Sequence, residues 1–116
     1  MHRDRETLGP LFETFVLQEL KRQASWFPEP LSFFHFRDRD GVEVDIVLER
    51  GAGALAGIEV KAAATVTDAD FRGLRKLKQA AGKRFTKGIV LYDGEISASF
   101  GADFYAVPIR RLWEAA

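Results

Sequence analysis

The chain has 116 residues, of which 47% are hydrophobic, so it is long and apolar enough to build one compact domain. It has no cysteine and only two histidines, which excludes a disulfide framework and argues against a zinc site, and its formal net charge of zero weakens any case for nucleic-acid binding through net charge alone. No apolar run approaches the roughly 18 residues of a membrane span, and the N-terminus lacks the apolar core of a signal peptide. We therefore expect a single domain over residues 1–116 that is soluble, cytoplasmic and without a membrane partner.

The first predicted element is an amphipathic helix from Pro10, which fits a first helical turn, through about Ala24. Its apolar residues recur at helical spacing: Leu11, Phe12, Phe15, Val16 and Leu20. On a helical wheel, Glu13 and Glu19 both lie inside this apolar arc. An acid that faces the protein is costly unless it is paired or bound to a metal. A functional role for Glu13 therefore competes with a buried ion pair or a capping interaction, and for Glu19 we expect a structural or supporting contact.

Three strand-like runs follow the helix. The first is the aromatic run from Leu31 to Arg37, and the next two carry Asp45 and then the pair Glu59 and Lys61. Because side chains alternate across a strand, Asp45 faces away from the aliphatic residues of its own run, and Glu59 and Lys61 share one face of theirs. The glycine-rich residues 51–54 join the second and third runs as a hairpin turn. Two carboxylates and one amine are thus expected to converge.

The second half of the chain predicts a helix, two strands and a short terminal helix. Thr67 and Asp70 have the spacing of a capping box at the start of a helix over residues 68–81, which Gly82 ends. Residues 85–92 form a nearly continuous apolar run, which is typical of a central strand covered on both faces. Residues 104–107 predict the last strand and residues 109–113 a small helix, giving the order αβββαββα. Because a crossover helix precedes it, the fourth strand should lie parallel to one of the first three.

Asp45 and Glu59 are residue types that hold a hard divalent cation. Mg²⁺ and Mn²⁺ prefer carboxylate and water oxygens and keep open positions for substrate phosphates. Such a metal polarises a phosphoryl oxygen and activates a bound water, and the nearby Lys61 amine can orient that water or offset developing charge. The competing interpretation is a surface ion-pair network that contributes little stability. The chemistry that the metal interpretation favours is phosphodiester hydrolysis.

The spacing of these residues resembles the PD-(D/E)XK nuclease superfamily, whose motif is an Asp on one strand and Glu-x-Lys on the next. The matching positions are Asp45, Glu59 and Lys61, although no proline precedes the Asp here. Over nearly its whole length the chain is also similar to the nuclease-like domain of unknown function that ends many prokaryotic AAA-type ATPases. That similarity includes the opening from Gly9 to Leu20 and the close from Val107 to Trp113. Since no phosphate-loop motif occurs in these residues, we expect a domain excised from a longer ATPase.

The resemblance implies a restriction-endonuclease-like α/β fold, with an αβββαβ core and a mixed central sheet flanked by helices. It implies a Mg²⁺- or Mn²⁺-dependent nuclease that hydrolyses DNA phosphodiester bonds with metal-activated water. In this interpretation Asp45 and Glu59 hold the metal, with the Val60 carbonyl as a further oxygen ligand. Glu13, four residues after a glycine, contributes through the metal or its waters, and Lys61 positions the attacking water.

Two alternatives from other classes stay open. The first is a catalytically silent nuclease-like module that binds DNA or dimerises while it assists an AAA-type ATPase. The second is a protein-interaction domain without a nucleic-acid partner, which the zero net charge permits. The sequence also leaves open whether the domain forms a homodimer. The aromatic run from Phe33 to Phe36 is either an exposed surface through which two copies associate or part of the core.

Two further features have two interpretations each. A basic segment between residues 72 and 87 is either a set of solvated positions on an amphipathic helix, which we favour, or a set of phosphate contacts. Its members are Arg72, Arg75, Lys76, Lys78, Lys83, Arg84 and Lys87. His35 shares strand parity with Phe33 and Arg37 and either reaches substrate or, as is more usual for a lone histidine, has a structural role.

Overall fold

A computed structural model describes the backbone of residues 2–51 and 53–114 and, within these, the side chains other than those of residues 2–10 and 12. Three helices and six strands follow one another: α1 (His2–Ala24), β1 (Leu31–Arg37), β2 (Glu43–Arg50), β3 (Ala54–Lys61), α2 (Arg72–Ala81), β4 (Phe85–Tyr92), β5 (Ala98–Ser99), β6 (Phe104–Pro108) and α3 (Arg111–Glu114). Short 3₁₀ turns, Asp68–Phe71 and Gly82–Arg84, flank α2. The side chain of Phe12, in the predicted apolar arc, and all of Ala52, in the hairpin turn, lie outside the described part of the chain.

The strands form one mixed six-stranded sheet in the order β1-β2-β3-β4-β6-β5. The first three are antiparallel neighbours, β3, β4 and β6 run parallel, and β5 pairs antiparallel with β6. The turn between β2 and β3 contains Gly51 at a φ of 59°, a left-handed conformation that glycine adopts without steric cost. The predicted α/β fold, with a mixed central sheet and a fourth strand parallel to one of the first three, is confirmed, and its parallel partner among these is β3.

Helices cover the two faces of the sheet. On one face Phe71, Leu74 and Leu77 pack with strand residues that include Val90. On the other face Val16 of α1 packs with the strand residues Ile46, Ile58 and Leu91 and with Ile109, which follows β6. Neighbouring residues of β4 thus enter different clusters, as the alternation of side chains along a strand requires. The prediction that residues 85–92 form a central strand covered on both faces is confirmed.

The predicted elements differ from the structure mainly at their ends. Helix α1 begins at His2, so Pro10 lies inside it and not in its first turn. The prediction missed residues 2–9 because the charged residues before Gly9 show no apolar periodicity. The predicted helix over 68–81 begins as a 3₁₀ turn and becomes α-helical at Arg72. The connector after β4 contains the extra strand β5, whose two residues are too few for a detectable alternation. The last helix is Arg111–Glu114, two residues later than its predicted start.

The predicted apolar arc of α1 is wider than its buried stripe. Val16 is completely buried, and Leu17 and Leu20 pack against the same cluster. Leu11 and Phe15, in contrast, are 51% and 59% exposed. Along the described part of the chain, no helix combines the length and the apolar character that a membrane crossing needs.

Candidate active site

The candidate site lies where β2 and β3 separate. Their regular backbone pairing ends at Ile46 and Ile58, and the next facing residues are Asp45 and Glu59. There, side chains take over the hydrogen bonds: the Asp45 amide donates to Glu59 Oε1 at 3.1 Å, and the Val60 amide donates to Asp45 Oδ2 at 2.8 Å. Each carboxylate thus caps an amide of the opposite strand. The two predicted acids are brought together, and each keeps a second oxygen for a proton or a cation.

The electrostatics of this pair are unfavourable for two negative charges. Burial raises the pKa of Glu59 to about 8, and repulsion by the Asp45 carboxylate acts in the same direction. Two acids at close range cannot both ionise easily, so the pair tends to keep one proton near neutral pH. A divalent cation would replace that proton and neutralise both carboxylates. An oxygen-only donor set of this charge fits Mg²⁺ or Mn²⁺.

Glu13 approaches the pair from α1. Its side chain is half-buried, and burial raises its pKa, with further increases from the charges of Asp45 and Glu43 and a partial offset from His35. Its charge also contributes to the raised pKa of Glu59. Among the described side chains, however, no three His, Cys, Asp or Glu residues are grouped closely enough to hold a metal. Glu13 therefore adds negative potential beside Asp45 and Glu59 without completing a three-residue cluster.

Lys61 is on β3 with Glu59, but its amine is bonded elsewhere. Lys61 Nζ donates to Asp70 Oδ2 at 2.6 Å, and the same carboxylate oxygen accepts the Thr67 amide at 2.8 Å. Thr67 and Asp70 form the predicted capping box. Burial alone would raise the pKa of Asp70, but its hydrogen bonds from Lys61 and Thr67 outweigh that effect and hold the pKa below its ordinary value. The structure thus links Lys61 to the start of α2.

His35 and Glu43 flank the acidic pair. The register between β1 and β2 shifts from Phe34 opposite Val47 to Phe36 opposite Val44, so two residues of β2, Asp45 and Ile46, face the single residue His35 of β1. His35 Nε2 lies 3.1 Å from Glu43 Oε1, and its Nδ1 lies 3.5 Å from the Asp45 carbonyl. The hydrogen bond with Glu43 raises the pKa of His35. The histidine is exposed, so it borders the site from the edge strand of the sheet.

Two residues near the site were not predicted as members of it. Glu43 lies two positions before Asp45 and shares its strand parity, which was the one signal available for it. Asp70 was predicted as a helix cap, but its contact with Lys61 has no local sequence signal. Glu19 makes a structural contact, as expected: it accepts hydrogen bonds from Arg22 and, at 2.8 Å, from Gln23.

The basic segment is partly neutralised. Three of its seven cations are paired with acids: Arg75 with Asp68, Lys78 with Asp103, and Arg84 with Glu49. Arg72 is exposed and Lys76 half-buried on the next turn, and both line a shallow cleft of about 400 Å³ along α2. The Lys61–Asp70 contact ties the 3₁₀ turn that precedes α2 to β3, two residues after Glu59. This end of the basic segment is therefore the one nearest the candidate site.

Comparison with known proteins identifies the domain type but no activity. A family model described as a domain of unknown function, DUF4143, matches residues 8–112. The matched range includes the five predicted site residues Glu13, Asp45, Glu59, Val60 and Lys61, and also Asp70. No curated protein matches the chain. The function has therefore to be inferred from the site itself.

Proposed function

The chain belongs to the DUF4143 family, whose description assigns no activity, and from its own residues we propose that it is a metal-dependent nuclease domain of the PD-(D/E)XK type. One observation carries this proposal: the carboxylates of Asp45 and Glu59 converge where β2 and β3 separate, in a setting that raises the pKa of Glu59 to about 8. Lys61 follows on the same strand. The substrate class is a nucleic-acid phosphodiester, with DNA expected from the resemblance to the superfamily.

Each residue of the site has a separate role in this proposal. Asp45 and Glu59 would hold Mg²⁺ or Mn²⁺, with the Val60 carbonyl as an additional oxygen ligand. When bound, the cation supplies Lewis-acid stabilisation of a phosphoryl oxygen and lowers the pKa of a water. The Val60 amide orients the Asp45 carboxylate through its 2.8 Å hydrogen bond. Glu13 adds negative charge that favours a cation, and the Lys61 ammonium offsets charge that develops on the phosphate.

The Lys61–Asp70 contact favours one alternative function. A lysine that stays 2.6 Å from Asp70 throughout would not reach a reacting phosphate. The domain would then be a nuclease-like module that binds DNA, or pairs with a second copy, beside an AAA-type ATPase. Such a module would bind DNA without cleaving it, which separates it from the enzyme by a direct assay.

The test is cleavage of linear, single-stranded and branched DNA with Mg²⁺, with Mn²⁺ or with a chelator. Wild type should cleave only with a divalent cation, and Asp45→Asn and Lys61→Met should each lower the rate by roughly a hundredfold or more. Asp103→Asn is the matched control, because Asp103 pairs with Lys78 and precedes β6, at the end of the parallel strands away from the site. Binding without cleavage by folded wild type would support the silent module, and neither binding nor cleavage a protein-interaction domain.

A second prediction concerns DNA affinity. If phosphates approach the site along α2, Arg72→Ala with Lys76→Ala should weaken DNA binding and reduce the slope of log affinity against log salt by roughly 1 to 2 units. The reason is that each lost phosphate contact releases one counterion fewer. Lys83→Ala is the control, since Lys83 is exposed at the opposite end of α2. Equal salt slopes for wild type and the double variant would show that these cations are merely solvated.

A further inference from the structure

Lys61 lies near two sets of carboxylates: Asp70, and the pair formed by Asp45 and Glu59. Glu59 and Lys61 are two positions apart on β3, so both project from the same face of the strand. An ammonium there could pair with the acids of the site. Lys61 instead contacts Asp70, and among the described residues no ion pair joins its amine to Asp45 or Glu59. The carboxylate pair is thus left without a cation although a lysine lies beside it.

Lys61 pairs with Asp70 and not with Asp45 or Glu59 because the Asp70 carboxylate is already held in place by two groups of Thr67. It accepts the Thr67 amide at 2.8 Å and lies 3.4 Å from the Thr67 hydroxyl. The next residue, Phe71, is completely buried and stacks on Phe100 with ring centroids 4.8 Å apart. The two ends of the ion pair are only 31% and 25% exposed, for Lys61 and Asp70 respectively. Partial burial and a preset acceptor make such a pair stronger than one on an open surface.

From this arrangement we infer that Asp70 is a positioning residue: by holding Lys61 at the start of α2, it reserves the Asp45–Glu59 pair for a divalent cation. A lysine released from Asp70 would pair with the two carboxylates and compete with the metal, while its charge would repel the metal directly. The inference deepens the proposed function and rests on it. Asp70 therefore has two roles: it caps the helical turn by accepting the Thr67 amide, and it holds Lys61.

The test measures Mn²⁺ affinity by electron paramagnetic resonance of the free ion, without any substrate. Asp70→Asn keeps an oxygen that can accept the Thr67 amide but removes the charge that holds Lys61, and it should weaken Mn²⁺ binding by roughly tenfold or more. Lys61→Met should bind Mn²⁺ at least as tightly as wild type. The double variant should bind like Lys61→Met, because Asp70 has no lysine left to hold. Asp103→Asn, which frees Lys78 far from the site, should bind like wild type.

Each outcome has a defined meaning. No Mn²⁺ binding by folded wild type would overturn the metal site of the proposed function together with this inference. Equal affinities for wild type and Asp70→Asn would overturn the inference alone. A double variant as weak as Asp70→Asn would show that Asp70 acts through the helix cap and not through Lys61, which also overturns it. Asp70→Ser, whose hydroxyl can still accept the Thr67 amide, is measured in parallel and should repeat the Asp70→Asn result if the asparagine variant folds poorly.

Discussion

Glu59→Gln is expected to stabilise the metal-free protein at about pH 8 by an amount on the order of 3 kcal/mol, and to remove most of the pH dependence of its stability. Burial and the neighbouring Asp45 raise the pKa of Glu59 to about 8, from an ordinary value of 4.5. Glutamine has nearly the same shape and carries no charge at any pH. It can also accept the Asp45 amide that Glu59 accepts at 3.1 Å.

The sign follows from proton linkage. A carboxyl whose pKa is higher in the folded state binds its proton more tightly when folded, so unfolding releases a proton between pH 4.5 and about 8. The free energy of unfolding of wild type should therefore fall as the pH rises through this window, by up to about 1.4 kcal/mol per pH unit. Glu13 and His35 also have raised pKa values, so they act in the same direction and leave a smaller slope in the variant.

The measurement is urea denaturation with a chelator at several values between about pH 5 and pH 8. The matched control is Glu95→Gln, since the side chain of Glu95 is 82% exposed and should behave like wild type. Excess Mg²⁺ at pH 8 should then stabilise wild type more than Glu59→Gln, because only the glutamate offers the charge that a cation binds. An unchanged pH slope in Glu59→Gln would contradict the structure of the site, since it would mean that Glu59 ionises freely.

Local sequence patterns predicted much of the fold and the pairing of the acids. Strand alternation is a property of consecutive residues, and it predicted that Asp45 and Glu59 would converge with the aliphatic residues of β2 on the opposite face. The acids do meet, but the predicted aliphatic face was wrong: alternation is interrupted at Asp45, and Val44 and Ile46 pack in different clusters. The same holds for the capping box at Thr67 and Asp70, which is defined by a three-residue spacing. A continuous apolar run was enough to identify β4 as a central strand, because only a strand covered on both faces can bury such a run.

The missed features depend on how separate parts of the chain meet. The Lys61–Asp70 contact requires a particular path for the eight residues between them, and no local pattern encodes that path. The register shift at His35 arises from pairing with β2 and is invisible in β1 alone. On α1, periodicity shows which residues are apolar but not which of them pack against the sheet. Leu11 and Phe15 were therefore predicted to face the protein, although both are exposed in the fold.

Gly73→Ala is expected to destabilise the protein by about 3 kcal/mol or more, although alanine is the better helix former by about 1 kcal/mol. Gly73 is buried in α2, and a Cβ added there would lie 2.3 Å from the backbone oxygen of Glu43 and 3.4 Å from Val44 Cγ2. A backbone oxygen within a sheet cannot turn aside as the end of a side chain can. The helix would have to move away from β2 and lose packing of Leu74 and Leu77 against the core.

Urea denaturation of Gly73→Ala checks this prediction, with Gly53→Ala as the control. A Cβ at Gly53 would meet nothing within 4 Å, so that variant should stay within roughly 0.5 kcal/mol of wild type. Wild-type stability in Gly73→Ala would mean that α2 does not approach β2 this closely.

The position of Gly73 also bears on the candidate site. Glu43 is two residues before Asp45, and Asp70 is three before Gly73. The close approach at Gly73 therefore fixes the position of α2 and, three residues earlier, of the acid that holds Lys61. The folded fraction of Gly73→Ala should accordingly show weakened Mn²⁺ binding as well as lower stability.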